Sequence, residues 1–288
     1  MRLSQIFMMK ITHNAFCGRG FNFPLGQKTY IMGILNVTPD SFSDGGCYYS
    51  VEAAVRRARQ IEAEGADLID IGAVSTRPDC EQVSEAEEQR RLMPVISLLT
   101  RELNIPISVD TFNPSTAEAV LKEGVAIIND VSGRPSKEMA ELIKKYNAGW
   151  IIMHTEAQAQ AIINYPNGVV RAVADFFDAT IEKCRGWGIS DNQLCLDPGF
   201  GFAKDVEQNY ELLRAGAELK REGIAYLTAL SRKRFTGFAA GIAKARDRDN
   251  ATIAADTLAI YLGSDMLRVH NVSAAVEAAR FTDAAVRP

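Results

Sequence analysis

The chain has 288 residues, 47% hydrophobic and 24% charged, a globular balance that fills one large α/β barrel or two ordinary domains. A formal net charge of −4 excludes a global basic field for nucleic acid, so any anionic ligand must be held by locally placed cations. The five cysteines (Cys17, Cys47, Cys80, Cys184, Cys195) are scattered, odd in number and lack a C-x-x-C, which argues against a disulfide framework or zinc site and for a reducing cytoplasm.

The opening MRLSQIFMMKITHN has no apolar core long enough for a signal peptide, and no later stretch approaches the ~18 uninterrupted apolar residues of a membrane span. A cytoplasmic protein is expected. Residues 10–28 (KITHNAFCGRGFNFPLGQK) read as a hairpin placed across the floor of a barrel. Residues 1–28 therefore form an extension and hairpin of the same domain, and 29–288 the barrel itself.

From residue 29 onward, short apolar runs alternate with longer stretches of helical period. The runs are TYIMGILNV, DLIDIGA, PISVDT, AIIND, GWIIMH, LCLDPG, AYLTAL and DMLRVHNV. They are continuous, as parallel strands covered on both faces must be. In the second intervening helix, Ser84 and Glu87 have the spacing of a capping box, Leu92, Val95, Ile96, Leu99 and Leu103 share one face, and Pro94 predicts a bend. The third has Asn113 as N-cap, Pro114 at its first position and Gly124 just past its end. Eight such units with no intervening linker predict a single (β/α)8 TIM barrel.

In such a barrel the C-terminal strand ends and the loops after them form the active face. Here those ends are polar throughout: Asn36; Gly72 followed by Ser75-Thr76-Arg77-Pro78; Asp110-Thr111; Asn129-Asp130; His154; Asp197-Pro198-Gly199; Ser231-Arg232-Lys233; and Arg268-Val269-His270. Any one of these is more simply a cap or turn residue, and Asp70, Asp130, Arg232 and His154 are read as structural. As a set they predict a site. Asp110, Asn129 and Asp197 supply acceptors suited to a flat heterocycle with adjacent N–H donors, such as the amino-oxopyrimidine edge of a pterin. Arg77, Lys233, Arg268 and His270 supply cations and donors suited to a phosphate or pyrophosphate. PGFGFAK looks like a phosphate loop but lacks the third glycine and the strand–helix context of a dinucleotide site.

Seven motifs together carry a family resemblance: GILNVTPDSFSDGG (33–46), STRP (75–78), SVDT (108–111), IIND (127–130), LDPGFGF (196–202), SRKRF (231–235) and RVH (268–270). In order and spacing they resemble the dihydropteroate synthases, from about residue 30 to 275. The resemblance implies condensation of 6-hydroxymethyl-7,8-dihydropterin pyrophosphate with p-aminobenzoate, giving 7,8-dihydropteroate and pyrophosphate. It implies Asp110, Lys233 and Arg268 as catalytic residues, and Asp110, Asn129, Met153, Asp197 and Lys233 around the pterin. Asn36, Arg77, Arg268 and His270 would hold pyrophosphate, with Asn36 also on Mg²⁺. Thr76, Pro78 and Phe202 would line the p-aminobenzoate pocket. A homodimer through outer helices is expected, with small-molecule substrates and neither nucleic acid nor membrane as partner.

Departures from the family pattern fall at Ala73, Val74 and Asp79, at Thr155 and Glu156, at Ala229 and at Asn271. Two alternatives stay open at this point: a catalytically silent pterin-binding paralogue, and a methyltetrahydrofolate-type methyltransferase, which would not need the anion-binding set. Cys47 and Cys80 are expected to face the mouth, where alkylation would slow turnover.

Overall fold

The computed structural model describes residues 14–37, 47–73, 83–156 and 162–287, with the backbone alone for 47–50. The chain enters through an antiparallel hairpin, β1 (Ala15–Gly18) and β2 (Phe21–Pro24). The barrel then runs β3 (Tyr30–Asn36), α1 (Cys47–Ala63), β4 (Leu68–Gly72), α2 (Glu85–Glu102), β5 (Ile107–Asp110), α3 (Pro114–Glu123), β6 (Ile127–Asp130) and α4 (Lys137–Tyr146). It continues β7 (Gly149–Met153), α5 (Val169–Gly186), β8 (Leu194–Asp197), α6 (Val206–Arg214), α7 (Gly216–Leu219), β9 (Ala225–Thr228), α8 (Arg234–Phe238), α9 (Asp249–Tyr261), β10 (Met266–Val269) and α10 (Val272–Val286). The strands pair in parallel and close in the order β10-β3-β4-β5-β6-β7-β8-β9. Closure covers the inner face of every apolar run and leaves no sheet edge, while the helices cover the outer face. The fold is the expected (β/α)8 barrel.

Helix ends follow local chemistry. Ser84 caps α2 by accepting the Glu87 N–H at 3.3 Å. The other half of the expected capping box does not form, because the Glu87 carboxylate binds Arg90 at 2.6 and 2.9 Å and Arg91 at 2.7 Å. Charge-assisted bonds to guanidinium outcompete one backbone N–H. Pro94 lies inside α2, whose buried face includes Leu92, Val95, Ile96 and Leu99. At α3, Asn113 occupies the N-cap position but turns its amide to Glu88 at 2.7 Å, which also accepts from Thr116 at 2.9 Å. That buried carboxylate ties α2 to the start of α3. Gly124 ends α3 at φ 111°, a left-handed conformation that costs glycine little.

The hairpin closes the N-terminal end of the barrel, as its sequence predicts. Phe16, Phe21 and Phe23 pack with Tyr30, Met32, Ile127, Ile151 and Met266 in one core beneath the polar mouth. The Phe16 and Phe21 rings meet edge to face at 5.1 Å, and Phe23 stacks on Tyr30 at 4.5 Å. Arg19 N–H donates to the Asn147 carbonyl and Arg19 Nη1 to the Leu121 carbonyl at 3.0 Å, pinning the turn beside the strand entries. Gly149 permits this approach: a Cβ there would stand 2.7 Å from Phe16 Cζ. Phe16 is fully buried, so Phe16→Ala should lower the unfolding free energy by ~3–5 kcal/mol in urea denaturation. An unchanged midpoint would show that the hairpin is not part of the cooperative core.

Candidate active site

The mouth is built by register. Asn36, Gly72, Asp110 and Asn129 are pairing partners across β3, β4, β5 and β6, so they form one arc around the rim. Asn129 pairs with Ile151 on β7, and the next inward position, Met153, pairs with Asp197 on β8, so the mouth is carried on one step higher there. Gly72 leaves the arc open: a Cβ there would lie 3.6 Å from Asp110 Cβ and 3.8 Å from Asn36 Oδ1.

Below this arc lies a carboxylate with more than the structural part its place inside a strand suggests. Asp70, in the middle of β4, is fully buried and accepts from Ser108 Oγ at 2.6 Å, Asn129 Nδ2 at 3.1 Å and Arg268 Nε at 2.7 Å. Arg268 also donates from Nη2 to Asp110 Oδ2 at 3.3 Å. Because Asp70 only accepts, it fixes the Asn129 amide with its nitrogen inward and leaves Oδ1 as an acceptor. Burial pushes Asp110 up to about 7, against the pull of Arg268 and with the repulsion of Asp70. Arg268 is therefore a bridge between two carboxylates at the mouth.

On the opposite side, Asp197 Oδ1 accepts the Gly199 N–H at 2.7 Å. Burial raises the Asp197 carboxyl and Lys233 draws it back. Burial likewise lowers Lys233 to about 8 while Asp197 supports its charge. Lys233 Nζ donates to the Phe200 carbonyl and lies 5.0 Å from the centre of the Phe202 ring, so the residues expected at the two substrates adjoin here. Lys204, which no sequence motif singles out, holds this turn. Its buried Nζ reaches the carbonyls of Gly199 and Phe202 at 3.1 Å each and of His154 at 3.4 Å, and His154 Nδ1 at 3.1 Å. The glycines of PGFGFAK serve this packing: Gly199 and Gly201 have φ 70° and 75°, and a Cβ on Gly199 would meet His154 O at 2.0 Å.

His154 is buried and held neutral, its pKa lowered to about 3 by burial and by Lys204, as its structural reading requires. His270 is likewise neutral. Burial, with Arg232 and Arg268 nearby, lowers it to about 3, so at neutral pH it is a polar donor and carries no charge. Ser231 Oγ accepts the His270 backbone N–H at 3.1 Å and lies 2.9 Å from His270 Nδ1. With one lone pair engaged, the Ser231 hydroxyl is free to donate to Nδ1, the arrangement that places the ring hydrogen on Nε2.

Residues 32–270 match the pterin binding enzyme family. A dihydropteroate synthase of Synechocystis sp. is 40% identical over 265 residues, spanning 91% of this chain and 92% of the relative. The chain belongs to the dihydropteroate synthases. The Clostridium difficile dihydropteroate synthase structure obtained in the presence of pteroic acid has a TM-score of 0.87 at 45% identity, covering 92% of this chain and 100% of that one. The Xanthomonas albilineans dihydropteroate synthase with 4-aminobenzoic acid has a TM-score of 0.89 at 38% identity, covering 95% and 98%.

Several expected dihydropteroate synthase positions, Thr76, Arg77 and Pro78, and the departures Val74 and Asp79, lie outside the described residues. So do Cys80 and the side chain of Cys47, which begins α1. Ala73 is buried and its carbonyl accepts from Arg91 at 3.1 Å. The departure at Asn271 has a physical reason. Asn271 Oδ1 accepts from Ala274 N–H at the start of α10, and Nδ2 donates to Asp249 Oδ2 at 3.2 Å. Asp249 also binds Arg232 at 2.6 and 2.9 Å, and Arg232 sits at φ 58°, so its structural reading stands. Asp130 likewise caps its own turn, accepting from Ser132 N–H at 3.0 Å.

Both imidazoles should show no titration between about pH 5 and 9 in long-range ¹H–¹⁵N NMR, with His270 in the Nε2-protonated pattern. Ser231→Ala should release that tautomer. Their folded pKa values lie below the ordinary 6.5, so stability falls as pH drops below 6.5, where the unfolded chain takes up protons first. A midpoint near 6.5 for either resonance in the folded protein would contradict the assignment.

Proposed function

We propose that this chain condenses 6-hydroxymethyl-7,8-dihydropterin pyrophosphate with p-aminobenzoate to 7,8-dihydropteroate, releasing pyrophosphate. The observation that carries the reading is the meeting, in one barrel mouth, of acceptors on β5, β6 and β8 with cations after β9 and on β10. The relatives' names and the pteroic acid and 4-aminobenzoic acid of the solved structures support it.

In this mechanism Asp110, Asn129 Oδ1 and Asp197 accept from the pterin edge, Lys233 donates to the ring, and Met153 packs beside it. The C–O bond to pyrophosphate breaks with its electron pair leaving on oxygen, and positive charge spreads into the ring. Asp110, pressed toward neutrality by burial, gains most by facing that charge. The amine of p-aminobenzoate, unprotonated near neutral pH, then forms the C–N bond and releases a proton to solvent. No general base is required. Arg268 and the His270 Nε2–H, with Arg77, receive the leaving group, and Phe202, with Thr76 and Pro78, receives the second substrate.

Mg²⁺ fits this donor set. Asn36 presents an amide oxygen at an exposed strand end, and Mg²⁺ characteristically takes one or two protein oxygens with the rest from phosphate and water. When bound, it would neutralise charge on the departing pyrophosphate.

We also assign a homodimer to the face formed by α9 and α10. These adjacent helices leave Leu258, Tyr261 and Phe281 exposed, with Phe281 76% accessible. That apolar surface suits an isologous contact. The free thiols of Cys17, Cys184 and Cys195 fit a reducing cytoplasm, and among the described residues no helix is long and apolar enough to cross a membrane.

A coupled pyrophosphate assay tests the activity. Release should require both p-aminobenzoate and Mg²⁺, and kcat/KM should fall as pH drops through about 7, where Asp110 takes up its proton. Asp197→Asn should weaken pterin binding by ~1.5–3 kcal/mol in calorimetry, since a charge-assisted acceptor is lost. Pterin pyrophosphate binding without pteroate formation would instead identify a silent paralogue. For the dimer, Phe281→Asp should halve the mass seen by light scattering; a wild-type monomer at micromolar concentration would reject it.

A further inference from the structure

Asp70 touches the site from beneath and has no surface of its own. It is fully buried, three donors converge on it from β5, β6 and β10, and one of them is the guanidinium that also reaches Asp110. We infer that Asp70 is a positioning residue that sets the charge state of Asp110 by sharing Arg268 with it.

Two carboxylates compete for one cation. Arg268 Nε lies 2.7 Å from Asp70, whereas Arg268 Nη2 lies 3.3 Å from Asp110, so the buried partner takes the closer contact. Coulomb attraction rises as distance shrinks, and rises further where water is absent. Ser108 and Asn129 add neutral donors to Asp70 alone, which holds its charge in place. Asp110 receives the weaker share and remains poorly compensated. The other charged groups acting on it, Glu88 from α2 and Asp130 from β6, are both acidic, and each is tied to donors of its own.

The consequence is catalytic. A carboxylate already neutralised by arginine has little to gain when an adjacent ring becomes positive. One left short of a counter-charge gains more in the transition state than in the ground state, and only that difference accelerates the step. Asp70 thus keeps Asp110 available by occupying the arginine. This rests on the proposed role of Asp110 against the pterin.

Asp70→Asn isolates the charge. Its oxygen can still accept from Arg268 and Asn129, and its amide can donate to Ser108 Oγ, so the bonds survive and the anion is lost. Carboxyl ¹³C NMR of the free enzyme, assigned with Asp110→Asn, should then show the Asp110 midpoint moved to lower pH by about one unit, tenfold in proton affinity. The same variant should lower kcat about tenfold with the KM for p-aminobenzoate unchanged. Ser108→Ala, which removes a hydrogen bond but no charge, should reduce stability and leave the midpoint in place. An unmoved midpoint in a folded Asp70→Asn overturns the inference. If that variant does not fold, Arg268→Gln should move the midpoint to higher pH, and no movement there overturns it equally. A moved midpoint with unchanged kcat would leave the charge coupling standing and remove Asp110 from the chemistry instead.

Discussion

A carboxylate inside a closed barrel has no access to water, and its need for donors organises the mouth above it. Asp70 draws one donor each from Ser108, Asn129 and Arg268, on three different strands. Meeting that need orients the Asn129 amide, turns the Arg268 guanidinium, and brings Asp110 into contact with it. Asn129, Arg268 and Asp110 all carry part of the proposed chemistry. Their positions follow from the solvation of a group that touches no substrate.

The remainder of the mouth is stiffened in the same way. Lys204 gathers three carbonyls from the ends of β7 and β8, which fixes the turn carrying Phe200 and Phe202. Ser231 orients His270, and Asp249 holds Arg232 in a left-handed conformation next to Lys233. These contacts tie loop residues at neighbouring strand ends to one another and, through Asp249, to the start of α9. At the other end, the phenylalanines of the hairpin fill the barrel and leave the polar end as the working face.

The eight strands were legible because strands covered on both faces read as unbroken apolar runs, and each observed strand falls within its run. The arc of Asn36, Asp110, Asn129, Met153 and Asp197 was legible because polar groups at the ends of such runs are costly unless used. Harder to read were residues whose meaning depends on a partner distant in sequence. Asp70 is a charge within an apolar strand, and its partner Arg268 is 198 residues away. Lys204 follows a glycine-rich turn, and only the turn's path shows that its ammonium points inward. Sequence does not report burial, so it leaves open whether His270 serves as a cation or a neutral donor; burial here removes its charge. Glu87 had the spacing of a capping box, but Arg90 and Arg91 lie closer in energy than the backbone it was assigned to.

The amide at position 271 restricts how this sequence can drift. Asn271 gives a hydrogen to Asp249 while accepting one from the helix behind it, a dual role that an aspartate cannot fill without setting two anions face to face. Replacing either residue singly passes through a repulsive or unpaired state, whereas exchanging both together does not. Among relatives with aspartate after RVH, residue 249 should therefore not be acidic, and the two positions should be inherited as a unit.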